Sequence, residues 1–87
     1  MEAKQIAAEA IDIAIRSEMM LPYGVPRTKP CPSGEMLRGE AQESFRKGFY
    51  IDATTKAKRS VAYSVGVMDK AYEDIRELEI KILQIKD

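Results

Sequence analysis

DATTKAKRSVAYSVGVMDKAYEDIRELEIKILQI, residues Asp52 to Ile85, contains no proline and repeats its apolar residues at steps of three or four. Val61, Val65, Met68, Tyr72, Ile75, Leu78, Ile82 and Ile85 fall within one stripe of a 3.6-residue period. A strand would need alternation, which is absent. The spacing therefore predicts one long amphipathic helix over 52–86. At ~1.5 Å per residue such a helix runs about 50 Å, whereas a compact chain of this size has a diameter of roughly 30 Å. It must overhang, bend, or be covered by another copy.

Working outward, residues 2–20 predict a first helix. Ile6, Ala10, Ile13 and Met20 share a face that Ala7, Ile11, Ala14 and Ile15 widen. Residues 21–34, LPYGVPRTKPCPSG, hold all four prolines and predict a stiff loop. It is longer than the usual helix-to-helix connection of about 2–8 residues. Two readings follow: a spacer across the end of the fold, or a recognition element carrying Tyr23, Arg27, Lys29 and Cys31. Residues 34–47 predict a short helix with Ser33 as its cap and Leu37, Ala41 and Phe45 on one face. Gly48 follows the cations Arg46 and Lys47, a stop signal, and Asp52 or Thr54 is expected to cap the long helix. The expected fold is all-α, a small helical bundle in one domain over 1–87.

Composition bounds the function. With 45% hydrophobic and 32% charged residues the chain is expected to fold, and its zero formal net charge argues against non-specific capture of nucleic acid. A DNA-reading helix-turn-helix is also disfavoured, because the connection before the second helix is long and proline-rich. No histidine is present, which removes the commonest general base and zinc ligand. The one cysteine, Cys31, has no base near it in sequence and excludes an intramolecular disulfide. Asp69, Glu73 and Glu77 form an acidic column without the Glu-x-x-His pairs of a di-iron bundle or an EF-hand loop. No enzyme activity, cofactor or metal is expected. Neither a signal peptide nor a membrane span of about 20 apolar residues is apparent, so a cytoplasmic protein is expected.

Charge lies in blocks along the long stretch. Lys56, Lys58 and Arg59 open it, and Asp69, Glu73, Asp74, Glu77 and Glu79 follow. Two antiparallel copies crossing at Gly66 would set Lys58 toward Asp74 and Arg59 toward Glu73. Ala62 and Gly66 would permit close approach, and Val61, Val65, Met68 and Tyr72 would form the seam. The alternative is an intramolecular bundle in which Gly66 accommodates the first helix. The favoured function is a non-enzymatic, self-associating interaction or regulatory protein that occupies a partner protein's surface. The alternative is an oligomeric binder sequestering a phosphorylated small molecule, such as a nucleotide, through Arg46, Lys47, Thr54, Thr55, Lys56, Lys58, Arg59 and Tyr63.

Overall fold

The computed structural model describes residues 2–85 and builds four helices: α1 (Ala3–Glu18), α2 (Pro32–Arg46), α3 (Tyr50–Val65) and α4 (Lys70–Gln84). A single 3-10 turn, Pro22–Gly24, lies between α1 and α2. No strand forms among the described residues; the nearest approach to one is an isolated bridge between Met20 and Pro26.

The single long helix expected over 52–86 is two helices. Gly66 has φ 90° and ψ 165°, a region essentially closed to residues with a Cβ. Its N–H closes α3 on the Ala62 carbonyl. Three residues later the Asp69 side chain accepts from the Ala71 N–H and caps α4. Continuous apolar spacing is thus overridden by a stop at Gly66 and a start at Asp69. Residue 86, the expected end, lies outside the described residues.

Folding back also removes the overhang, since the body is 41 × 22 × 14 Å with a radius of gyration of 12.0 Å. The seam expected between copies through Val61, Ala62, Val65, Gly66, Met68 and Tyr72 requires a continuous rod that the chain does not build. Val61 and Val65 are instead buried in the chain's own core, and Met68 is 83% exposed.

Smaller boundaries shift for local reasons. α1 ends at Glu18 rather than residue 20, because Met20 turns into the bridge with Pro26. α2 begins at Pro32, a residue suited to the first helical position, so Cys31 rather than Ser33 stands at the cap. α3 begins at Tyr50 after Phe49, and neither Asp52 nor Thr54 caps it.

α3 packs against all three other helices, while α2 and α4 lie on opposite sides of the α1–α3 pair. This central place follows from its small side chains: Ala53, Thr54, Ala57, Ser60, Val61 and Ser64 are all essentially inaccessible. Ala7, Ala10 and Ala14 of α1 and Ala41 of α2 meet them. Short side chains let helix axes approach closely, and Ile6, Ile75, Ile82 and Val61 fill the remaining volume. Each such buried aliphatic contributes about 1.5–3 kcal/mol.

α2 and α3 meet closely at Gly34. The Ser60 hydroxyl donates to the Gly34 carbonyl at 2.6 Å, and a Cβ on Gly34 would lie 2.1 Å from Ser64 Oγ. Across the α1–α2 side, Arg38 makes a two-pronged pair with the buried Glu18 carboxylate at 3.0 and 3.1 Å. That pair raises the Arg38 pKa, chiefly through the hydrogen bond to Glu18.

Two glycine substitutions separate steric from backbone effects. Gly34→Ala is expected to destabilise by about 1–3 kcal/mol through overpacking, with part of the loss recovered by adding Ser64→Ala. Gly66→Ala meets no neighbouring atom, yet is expected to cost about 1–3 kcal/mol through its backbone alone. Urea denaturation of the three variants measures both; an unchanged midpoint for Gly66→Ala would contradict the fold-back turn.

Candidate interaction surface

The loop after α1 is tied down at three points. Arg27 donates through Nε to the Met20 carbonyl at 2.9 Å and through Nη2 to the Ser64 carbonyl at 2.6 Å, joining the ends of α1 and α3. The Cys31 N–H donates to the Glu18 carbonyl, and the Cys31 thiol lies 3.6 Å from the Tyr63 carbonyl. At the tip, the Tyr23 N–H donates to Asp69 Oδ2 at 2.6 Å. The same carboxylate therefore caps α4 and holds the loop.

That anchoring supports an unusual residue. Tyr23 is the one non-glycine residue at positive φ among those described, at φ 64° and ψ 27°. Its side chain packs on little, since the residue is 82% exposed. A left-handed conformation costs an L-residue roughly 1–2 kcal/mol, and burial does not offset it here. Strain of this kind, held by surrounding bonds, gathers at working surfaces.

Beside the tip, the α3–α4 connection exposes Val67 and Met68. Both line a shallow cleft of about 410 Å³ that continues along α4 past Tyr72, Arg76 and Ile80. Its rim carries Asp69, Glu73 and Glu77, three carboxylates one helical turn apart, against the single guanidinium of Arg76. Among the described residues Glu73 and Glu77 form no ion pair. The result is a ridge of aromatic and aliphatic groups with an acidic edge. A second cleft of about 360 Å³ lies behind the loop, floored by Ile13, Met20, Leu21, Val65 and Ala71.

Of the four loop residues singled out from the sequence, the structure presents Tyr23 and Lys29 to solvent. Arg27 turns inward as a tie, and Cys31 is buried. Val67 and Ile80 escape the sequence reading, because both stand off the main stripe. Met68 and Tyr72, expected in a seam crossing at Gly66, line the α4 cleft instead. The one available signal was Val67, an apolar residue beside a glycine and outside the helical repeat.

The basic block is dispersed. Lys58 reaches Glu79 of α4 at 2.6 Å, Lys56 reaches Asp52 at 3.0 Å, and Arg46 and Lys47 both pair with Glu43. Thr54 is buried in the second turn of α3 with its hydroxyl on the Tyr50 carbonyl. Thr55, Arg59 and Tyr63 do not converge with them on any cleft: Thr55 lines a depression with Phe49 and Ile51, while Arg59 and Tyr63 are exposed. Asp52 is held below the usual carboxylate range, first by the Ser44 hydroxyl at 2.6 Å and then by Lys56. Among the described residues no three His, Cys, Asp or Glu side chains gather as a metal-ion site, and no helix is long and apolar enough to cross a membrane.

No protein-family model matches the chain, and no curated protein or solved structure shows significant similarity to it.

Two measurements check this electrostatic map. Lys58→Ala is expected to lower stability by about 1–2 kcal/mol, between the exposed and buried limits for an ion pair, with Glu79→Ala non-additive in a double-mutant cycle. A coupling near zero would contradict the contact. Asp52, with its lowered folded pKa, stabilises the fold above the unfolded value of about 3.9, and this contribution is lost as pH falls through the folded value. The stability gap between the parent and Asp52→Asn, measured in urea at pH 7, should therefore shrink in titrations below about pH 4. A gap that widens there would reverse the assignment.

Proposed function

We propose that the protein is a non-enzymatic interaction module that works by burying the surface around Tyr23, Val67, Met68 and the outer side of α4 against another protein. The observation that carries this reading is Tyr23. An exposed aromatic ring is held at a costly backbone conformation by a hydrogen bond to the residue that also starts α4. The ring itself, left exposed, adds little to folding, whereas a rigid aromatic presented beside a methionine and a valine suits an interface anchor, because little conformational entropy remains to be lost on binding.

The neighbourhood supports the same reading. Tyrosine and methionine are enriched where interfaces are buried, and Met68 can adapt its shape to a partner surface. Acidic groups at the rim contribute orientation and partner choice more than affinity. The phosphate-sequestering alternative draws no comparable support, since most of its cations are already paired within the chain and Thr54 is sealed in the core.

Stability and binding should respond in opposite directions at the tip. Tyr23→Gly is expected to raise stability by about 1 kcal/mol by relieving the left-handed strain, and to abolish partner capture. A photo-crosslinking residue at position 23 or 68, expressed in the source cell, is expected to give a discrete protein adduct identified by mass spectrometry. The same residue at Ala8, exposed on α1, should not. Equal adducts at all three positions, or none at 23 and 68, would remove this surface from consideration.

A further inference from the structure

We propose that the partner segment received by this surface is a basic amphipathic helix of about four turns, laid along the outer side of α4. This rests on the reading of the Tyr23–Met68 region as a docking surface, and adds the chemistry of its occupant. α4 carries two apolar stripes where folding uses one. Ile75, Leu78 and Ile82 enter the core. At ~100° per residue, Tyr72, Ile80 and Leu83 fall within about 80° of one another on a second stripe, roughly 120° round the axis from the first. Tyr72 packs partly against the core, but Ile80 is 46% and Leu83 60% exposed, and Met68 prolongs the line past the start of the helix.

The form of this face selects a helix. From Met68 to Leu83 the stripe runs about 22 Å, and its cleft is shallow, lined by α4 and the turn before it alone. A small molecule would keep most of its surface in water there. Strand addition needs a sheet edge, and the described residues offer only the bridge between Met20 and Pro26. Side chains at steps of three and four form a ridge that accepts the ridge of another helix, and about 15 residues of helix would cover it.

Charge selects which helix. Glu73 and Glu77 border the stripe on its solvent side, one turn apart and exposed, and among the described residues neither takes part in an ion pair. Lys70 and Lys81 stand beyond them, further from the stripe, and Lys70 is already paired with Asp74. On the opposite edge Glu79 is neutralised by Lys58 at 2.6 Å. Asp69 keeps its charge at the head of the cleft, although its oxygens accept two backbone N–H groups. Among the described residues the lining therefore sets three carboxylates against the guanidinium of Arg76. The excess is open and one-sided, so the complementary helix carries lysine or arginine along one flank of its apolar stripe. A second copy would bring the same acidic excess, which disfavours two-fold pairing through α4.

Fluorescence anisotropy of labelled peptides of about 15 residues, titrated with the full chain, tests this. The first peptide has leucines on one helical face and lysines on the other. A second has glutamate in place of lysine, and a third scrambles the first so that no stripe forms. The first should bind, and the other two about tenfold or more weakly. Glu73→Gln combined with Glu77→Gln should weaken the first peptide about tenfold, the effect of losing two rim pairs. Glu9→Gln combined with Glu40→Gln, at exposed acids of α1 and α2, should leave it unchanged. Glu73→Lys combined with Glu77→Lys should prefer the glutamate peptide. Leu83→Asp should weaken the first peptide even though it adds a carboxylate, which separates apolar burial from charge. Ile80→Asp replaces it if circular dichroism shows the variant unfolded.

Equal binding of the lysine and glutamate peptides, no binding up to about 1 mM, or equal weakening by the two pairs of Gln substitutions would overturn the basic helix. So would a parent chain that sediments as a dimer while Met68→Glu sediments as a monomer, since the face would then belong to a second copy. Where positions 23 and 68 still crosslink to a protein in any of these cases, the docking surface stands and only its occupant changes. Absence of those crosslinks removes the surface, and this occupant with it.

Discussion

Gly66 sits where a side chain would be excluded by its own backbone, at φ 90° and ψ 165°, and the rest of the architecture depends on that permission. Without it the last third of the chain would continue as a rod, and Ile75, Leu78 and Ile82 would have no core to enter. With it, α4 returns along α3 and reaches α1, and Lys58 meets Glu79. The turn is closed from its far side by Asp69, whose carboxylate caps α4. A stop without an immediate start would have left frayed backbone; the pair together make a hinge into a corner.

The same corner positions the proposed working surface. Reversing direction in four residues forces Val67 and Met68 outward, and Asp69 has a second oxygen with which to hold the Tyr23 amide. The loop is therefore shaped by contacts made elsewhere: Arg27 on two carbonyls, Cys31 against α1 and α3, Tyr23 on α4. Prolines limited the conformations open to this segment, but tertiary hydrogen bonds chose among them. A flexible loop would lose much of any binding energy to ordering, whereas these hydrogen bonds fix this one within the chain itself.

The charged residues divide into two groups. Lys58–Glu79 and Arg38–Glu18 are partly buried and bind helices to one another, whereas Lys70–Asp74, Arg16–Asp12 and the Glu43 pairs are exposed neighbours on single helices. Removing one partner from the first group leaves a partly buried charge unpaired, whereas the exposed pairs contribute little to stability. Treated as a block, Lys56, Lys58 and Arg59 resemble an anion site. Taken one at a time, Lys56 points to Asp52 and Lys58 to Glu79, because direction changes by about 100° per residue along a helix. A run of like charge in sequence is not a cluster in space.

All-helical class, the proline-rich loop and the terminal signals at Gly48 followed directly from local chemistry, since periodicity, proline and glycine act over a few residues. The inward faces of α1 and of the α4 half of the last stretch were likewise legible, Ile75, Leu78 and Ile82 among them. The sequence could not reveal whether Gly66 interrupts a helix or merely rides within one. Both are locally permitted, and the choice rests on whether α4 gains more by packing on α1 and α3 than by extending. The outward placement of Met68, the left-handed turn at Tyr23 and the partners of Arg27 and Lys58 belong to the same class. Tyr23 meets Asp69, Arg27 meets Ser64 and Lys58 meets Glu79 across 46, 37 and 21 positions, and only the closed tertiary structure brings those groups within reach.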